Sequence, residues 1–235
     1  MEDFENEKEI PDYPLEVNIQ KTRIILKQLK HSVCKILNQQ ENGSGFFCKL
    51  SFHDGDKLIN INALITCNHV LGEKDLIKGK KINLSFFDGK VVNSFILDDK
   101  RIIFTNVEYD ITIIEIKPKD KINYECLEIN ENVFSNADLN CLFSNMPIYT
   151  LHSPYNKTLV SYGKINQINK NNIEHYCSTK KGSSVGPILS LDDNKVIGIH
   201  KGCNRNEKEE YNIGILISSG INEFLMYLNF KKNLK

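Results

Sequence analysis

The sequence has no excess of charge of either sign. Lys and Arg together number 30, Asp and Glu together number 30, and the formal net charge is zero. Proteins that bind nucleic acid or an anionic membrane through their overall charge carry a clear basic excess. The composition therefore argues against both partners. With 40% hydrophobic and 26% charged residues, the chain has the composition of a folded globular protein.

A long apolar run is also missing. No run approaches the roughly 18 residues that a membrane-spanning helix requires. The opening residues, "MEDFENEKEI", are too acidic and polar for a secretory signal. From the sequence we expect a cytoplasmic protein that does not enter a membrane, and we assign no oligomeric state.

No C-x-x-C pair occurs among the seven cysteines, and their number is odd. Together with the missing signal, this pattern predicts free thiols in a reducing compartment rather than a disulfide framework. Two other pairs, Cys67-x-His69 and His175-x-Cys177, each combine two kinds of zinc ligand. All four would have to converge on one ion, and neither pair has zinc-finger spacing. We expect no metal and no cofactor.

Helical periodicity is confined to segments near the two ends of the chain. Apolar residues in 17–31 recur at helical spacing, with basic residues opposite. A second helix is predicted to begin at Ser218 or Ser219 as its cap. Its apolar face consists of Ile221, Phe224, Leu225 and Leu228.

Between these helices lie two series of short segments rich in β-branched and aromatic residues, separated by Gly, Asn, Asp and Lys turns. No helix alternates with the strands, which argues against a parallel α/β sheet. We predict an all-β fold of two tandem six-stranded antiparallel barrels with an N-terminal and a C-terminal helix. The predicted units are an arm and helix at 1–30, barrels at 31–120 and 121–217, and a helix at 218–235.

The segment "KGSSVGPI", which contains Ser184, fits two different nucleophile motifs. Gly182, Ser184 and Gly186 form G-x-S-x-G, the turn that carries the nucleophile in α/β-hydrolases. That fold needs its acid and histidine after the serine, on a strand–turn–helix frame. The only histidine after Ser184 is His200, and the intervening "PILSLDDNKVIGI" has the pattern of a hairpin. The first motif is therefore disfavoured.

The second motif is the G-x-S-G-G-P loop of the chymotrypsin-like serine proteases, which the chain resembles in three further segments. "NGSGFFCKL" is similar to their early G-[ST]-G-F strand, and "LITCNHV" to their L-[TV]-x-x-H-V segment. "DITIIEI" is similar to their D-[IV]-A-[LV] strand. Each segment alone is weakly specific, but four in the family's order are strongly so. The resemblance extends over roughly residues 32 to 228.

The resemblance implies a catalytic triad of His69, Asp110 and Ser184. Ser184 would attack the scissile carbonyl, His69 would act as general base, and Asp110 would orient the imidazole. The backbone N–H groups of Gly182 and Ser184 would form the oxyanion hole, where glycine allows the substrate to approach closely. Taken singly, these residue types are common in turns and cores, and only their combination in family order indicates catalysis.

Three positions depart from the family pattern. Ser183 replaces the aspartate that pairs with a new N-terminus in zymogen-derived enzymes, which implies activity without N-terminal processing. Val185 follows the nucleophile where the family has glycine. If the loop requires a positive φ there, valine would cost about 1–3 kcal/mol and displace the oxyanion donors. Cys203 replaces a second glycine after Gly202 and would narrow the substrate groove.

The arrangement of Thr179 before the nucleophile and "GIHKGC" after it is similar to the bacterial glutamyl endopeptidases, and also to the picornaviral cysteine proteases that cut after Gln. The resemblance implies a primary pocket for Glu, with Gln second, in which Thr179 and His200 supply hydrogen bonds and a protonated His200 supplies charge. The substrate-binding candidates are Ser178, Thr179, His200, Lys201, Gly202 and Cys203.

The sequence therefore predicts a serine endopeptidase that acts on peptides or proteins. One alternative stays open. A chymotrypsin-like fold whose site is weakened by Val185 would serve as a peptide-binding or protein-binding module without catalysis.

Overall fold

The structure is a computed structural model that describes most of the chain. Its ranges are 17–38, 43–54, 57–86, 89, 91–153, 157–179, 185–203 and 211–233 of the 235 residues. The predicted arm (residues 1–16) lies outside these ranges. So do Gly182, Ser183 and Ser184.

The N-terminal half of the fold is one antiparallel sheet of seven strands in the order β5-β4-β1-β2-β3-β7-β6. The strands coincide closely with the first series of β-branched segments. They are β1 Val33–Leu37, β2 Gly43–Asp54, β3 Lys57–Thr66, β4 Lys81–Phe86, β5 Val91–Ile96, β6 Ile103–Asn106 and β7 Ile111–Ile116.

This sheet curls into a half-barrel rather than the closed six-stranded barrel that the sequence predicted. Within the described ranges no ladder joins the edge strands β5 and β6. The short strand β6 pairs with β7, and its Phe104 ring packs on Phe224 and Tyr227 of the C-terminal helix. The C-terminal helix thus buries part of this edge strand, as a further paired strand would in a closed barrel.

The C-terminal half is a closed antiparallel barrel of six strands in the order β10-β13-β12-β11-β8-β9, as predicted. Consecutive residues of β12 are all buried from Val196 to His200, so both faces of this strand are covered. The strands are β8 Pro147–His152, β9 Leu159–Asn169, β10 Asn172–His175, β11 Pro187–Ser190, β12 Val196–Cys203 and β13 Asn212–Leu216.

Three α-helices accompany the sheets in the described part of the chain. Helix α1 (Ile19–His31) begins where the Asn18 side chain accepts a hydrogen bond from the Lys21 N–H. Helix α3 (Ile217–Asn233) follows β13 directly, so Ser218 and Ser219 lie inside it and the predicted serine cap is wrong. The short helix α2 (Leu139–Phe143) was not predicted from the sequence.

The predicted apolar face of α3 is the face that packs on the protein. Ile221 and Phe224 are buried, and Leu225 and Leu228 are partly buried against the core. The fold class is thus mostly β, with one closed barrel, one half-barrel and a helix near each end. No helix in the described ranges is long and apolar enough to cross a membrane.

Hydrogen bonds at strand β2 connect the N-terminal sheet with the later part of the chain. The Ser153 N–H donates to the Ser44 hydroxyl (3.0 Å), and the Leu127 N–H donates to the Phe47 carbonyl (2.7 Å). Thr66, the last residue of β3, donates its hydroxyl to the Ser44 carbonyl (3.0 Å). The Ser153 contact, directly after β8, thus ties the C-terminal barrel to strand β2, and the Leu127 contact ties the connector between the sheets to the same strand.

Candidate active site

His69 lies in the turn that follows β3. The N–H groups of Val70 and Leu71 both donate to the Cys67 carbonyl at 3.1 Å, which closes the turn around Asn68 and His69. The strand before it, "ALIT", is buried throughout. The site histidine therefore emerges from a rigid strand, and its side chain is 35% exposed.

Asp110 reaches His69 because β7 pairs antiparallel with β3. The register places Thr66 opposite Thr112, so the residues just after β3 face those just before β7. Asp110 precedes Ile111, the first residue of β7, and has a φ of 49°. Aspartate adopts the left-handed region more readily than most residues, because its short polar side chain bonds locally.

Two hydrogen bonds hold the Asp110 carboxylate against His69. The ring Nδ1 and Asp110 Oδ2 are 2.8 Å apart, and the backbone N–H of His69 donates to Oδ1 at 3.0 Å. Burial opposes the ionisation of Asp110, but the hydrogen bonds and charge of His69 outweigh it and keep the pKa of Asp110 below its usual range. An ionised carboxylate in this position fixes the imidazole with its proton on Nδ1.

Threonine and asparagine side chains support this pair. Asn68 donates to the Thr105 hydroxyl (2.7 Å), which also bonds the Thr112 hydroxyl (2.6 Å). Thr112 in turn donates to the Leu71 carbonyl (2.7 Å). The network joins β6, β7 and the His69 turn, and so it fixes both members of the pair to one frame.

The nucleophile loop is described from Val185 onwards. Val185 is fully buried and has a φ of 79°, a region that β-branched residues rarely adopt. Its N–H donates to the His200 carbonyl, and the His200 N–H donates to the Gly186 carbonyl, both at 2.9 Å. Val185, the residue after Ser184, therefore has the positive φ at which we expected valine to be strained. It is held to β12 by a backbone hydrogen bond.

His200 lies in β12 and is only 2% exposed. Its Nδ1 is 3.2 Å from Nε2 of His175 in β10, and His175 Nδ1 accepts the Cys177 N–H at 3.2 Å. Burial, together with His175 and His152, lowers the pKa of His200 to about 3. Burial beside two other imidazoles thus favours a neutral His200 in the unliganded protein, and the role of a protonated His200 in a Glu pocket stays a prediction.

The other substrate-binding candidates occupy two segments near His200. Lys201, Gly202 and Cys203 complete β12, where Cys203 is exposed and Lys201 and Gly202 are partly buried. Ser178 and Thr179 follow β10, the first exposed and the second partly buried. Strand β13 lies between β10 and β12, so the two segments are two strands apart on one barrel wall.

One set of potential metal ligands occurs in the described ranges. The ligand atoms of Cys67, His69 and Asp110 lie within 4.8 Å of one another. The nitrogen that faces Asp110 is already bonded to it, so an ion bound there would compete with that hydrogen bond. His175 and Cys177 are associated with the C-terminal barrel, so the two sequence pairs do not converge on one four-ligand site.

Sequence reasoning missed two features of the site. The sulfur of Cys67 lies within 4.8 Å of a carboxylate oxygen of Asp110, and His152, which is distant in sequence, helps to lower the pKa of His200. The signal for Cys67 was its position two residues before His69. For His152 no motif existed, since only the closed barrel brings β8 close to β12.

Comparison with protein-family models gives a match over about two thirds of the chain. A family model described as the trypsin-like peptidase domain matches residues 43–199. No curated protein matches the sequence.

Several solved protease structures share the fold. A serine endoprotease from Yersinia pestis is 16% identical with a TM-score of 0.61, over 88% of this chain and 66% of that one. Deg5 is 17% identical with a TM-score of 0.59, over 88% and 95%. The HtrA-type protease AlgW, solved with a tripeptide, is 14% identical with a TM-score of 0.59, over 86% and 61%. The chain thus spans about two thirds of the Yersinia protein, and such low identities show a common fold.

Proposed function

The chain belongs to the trypsin-like peptidase domain family, and from that premise we propose that it is a serine endopeptidase with His69, Asp110 and Ser184 as its triad. The observation that carries the proposal is the 2.8 Å contact between His69 Nδ1 and Asp110 Oδ2, supported by the second bond from the His69 backbone. The two residues stand in the family's order before the serine motif, and Val185 bonds the end of the nucleophile loop to β12.

The chemistry follows from this arrangement. Ser184 Oγ attacks the scissile carbonyl carbon while its proton passes to Nε2 of His69, the ring nitrogen opposite Asp110. The ionised Asp110 stabilises the imidazolium that forms. The N–H groups of Gly182 and Ser184 receive the charge on the carbonyl oxygen. His69 then returns the proton to the leaving amine, and water repeats the sequence on the acyl-enzyme.

A fluorophosphonate probe tests the assignment directly, because it reacts with activated serines. We expect the wild-type protein to be labelled and Ser184→Ala to be unlabelled. Ser183→Ala is the matched control, since it removes the neighbouring hydroxyl from the same loop, and it should still be labelled. An unlabelled but folded wild type would contradict catalysis and favour a peptide-binding module.

We propose further that the enzyme cuts after Gln or Glu. His200 and Thr179 supply hydrogen-bond donors for a side-chain carbonyl, and Ser178 stands where trypsin-like enzymes carry the acid that recognises Lys or Arg. A neutral His200 suits the uncharged amide of Gln, whereas a Glu carboxylate must lose its water or bind together with a proton. A peptide library dominated by basic or aromatic residues before the cut would contradict this preference.

A further inference from the structure

Cys67 occupies the space between the end of β3 and the site aspartate. It is fully buried, and its sulfur lies within 4.8 Å of the ligand atoms of both His69 and Asp110. Its carbonyl anchors the turn that carries His69, through the N–H groups of Val70 and Leu71. The backbone and the side chain of this one residue therefore both face the proposed catalytic pair.

An ionised carboxylate accepts about four hydrogen bonds through its two oxygens. His69 supplies one bond to each oxygen of Asp110, from its backbone and from its ring. The Cys67 thiol, within 4.8 Å of an Asp110 carboxylate oxygen, carries a further potential donor. Asp110 is only 14% exposed, so water has limited access to the acceptor positions that remain.

The thiol keeps its proton under ordinary conditions. Burial and the neighbouring Asp110 carboxylate raise the pKa of Cys67 well above its usual value, and the Lys201 ammonium on β12 acts weakly in the opposite direction. The charged and titratable groups that act on this place in the described ranges are thus Asp110, His69 and Lys201. A protonated sulfur donates a hydrogen bond and does not compete with Ser184 as a nucleophile.

We infer that Cys67 is a positioning residue, whose S–H donates a third hydrogen bond that fixes the Asp110 carboxylate against His69. The inference rests on the proposed triad and adds a residue to it. A carboxylate held from the His69 side alone could rotate about its terminal torsion, which has broad minima. A donor from the β3 end restricts that rotation, and it spreads the negative charge of Asp110 over another bond.

Two substitutions separate hydrogen bonding from packing. Cys67→Ala removes the donor and the volume of the sulfur, and Cys67→Ser removes the volume but keeps a donor. Without the donor, Asp110 holds more of its negative charge and stabilises a protonated His69 more strongly. The titration midpoint of His69 should then move to higher pH in Cys67→Ala and stay near the wild-type midpoint in Cys67→Ser.

NMR of ring-labelled histidine measures that midpoint whether or not the protein cleaves peptides, so the test does not depend on the proposed activity. In an active enzyme, the acid limb of kcat/KM should move in the same direction. The plateau should fall by about three- to tenfold in Cys67→Ala, as expected for the loss of one ordinary net hydrogen bond, because S–H is a weak donor. Cys67→Ser should recover most of that loss.

Several results would overturn the inference. One is a Cys67→Ala protein with the wild-type His69 midpoint, even if its melting temperature falls, because that pattern indicates packing alone. Another is a Cys67→Ser protein that behaves like Cys67→Ala in both the midpoint and the plateau. Failure of Ser184 to react with the fluorophosphonate probe would instead contradict the proposed triad. The His69 midpoint measured by NMR would still test the contact between Cys67 and Asp110.

Discussion

The backbone conformation of Asp110 helps to position its own carboxylate against His69. Its left-handed φ turns the chain just before β7, so both carboxylate oxygens point back to the His69 turn. Sequence order was enough to pair these two residues, because an antiparallel β3–β7 ladder brings the end of one strand to the start of the other. The position of Cys67 two residues before His69 was visible in the sequence, but its approach to Asp110 was not, since that depends on side-chain placement within the turn.

Asp110→Asn should keep the fold and lose most of the activity. An amide in this place cannot hold the His69 tautomer that an ionised carboxylate selects. In the well-studied serine protease that serves as the general template, the same change costs about 10⁴-fold in kcat. Steady-state cleavage of a peptide substrate, with circular dichroism as the folding control, measures the loss. Activity within about tenfold of wild type would remove Asp110 from the triad.

Val185 combines an unfavourable backbone with a buried side chain. A positive φ at a β-branched residue costs about 1–3 kcal/mol, while complete burial of the valine side chain returns about 1.5–3 kcal/mol. The two contributions are of similar size, so stability alone does not reveal the strain. Activity does, because one displaced oxyanion donor is worth roughly 10²–10³ in rate.

Val185→Gly should therefore raise turnover, by at most the roughly 10²–10³-fold that one displaced oxyanion donor is worth. Val185→Ala is the matched control, because it removes the bulk but keeps a Cβ at positive φ. A gain in the glycine variant alone would indicate backbone strain, and an equal gain in both would indicate bulk beside the site. Unchanged or lower turnover in Val185→Gly would show that the loop accommodates valine.

At the scale of elements, the strands of both sheets coincide closely with the short segments rich in β-branched and aromatic residues. The exceptions have physical causes. Ser218 resembles a helix cap, but α3 begins one residue earlier, at Ile217, directly after the last residue of β13. Helix α2 is only five residues long, too short for a periodic pattern, and Asp138 caps it. The sequence also does not show that a helix packs against an edge strand, as α3 packs against β6.

Three barrel strands each contribute a histidine to one cluster: His152 from β8, His175 from β10 and His200 from β12. Burial lowers the pKa of His152 and of His175 to about 4 each. The cluster is therefore neutral across the range in which most proteases are assayed. A Glu carboxylate bound beside His200 would raise the affinity of that imidazole for a proton, so Glu binding should be coupled to proton uptake.

This coupling predicts a pH-dependent choice between two matched peptides that differ only in Glu or Gln before the cut. The ratio of kcat/KM for Glu over Gln should rise as the pH falls from about 8.5 to 5.5. Titration of His69 affects both peptides and cancels in the ratio. His200→Ala should flatten the ratio while leaving Ser184 reactive to the fluorophosphonate probe. A ratio that is constant in the wild type would contradict proton-coupled recognition.

For the whole molecule, the cysteines give the most direct test of the structure. The sequence predicted free thiols, and all seven cysteines are unpaired, with Cys141 and Cys203 exposed and Cys126 partly buried. Stability must then come from the packed cores of the two sheets and from the contacts between them. No covalent bond between cysteines constrains the unfolded chain.

Reducing agent should accordingly leave the melting temperature unchanged. Under native conditions a thiol reagent should modify Cys141 and Cys203 rapidly, with Cys126 slower, and should reach all seven cysteines only after unfolding. The Cys141→Ser and Cys203→Ser variants should each lose one rapid equivalent, which assigns the two sites. The four buried thiols, Cys34, Cys48, Cys67 and Cys177, become reactive only when the sheets open, so their rate of modification reports unfolding of the molecule. A melting temperature several degrees lower in dithiothreitol would contradict the free thiols, because only a disulfide broken by the reagent would make stability depend on it.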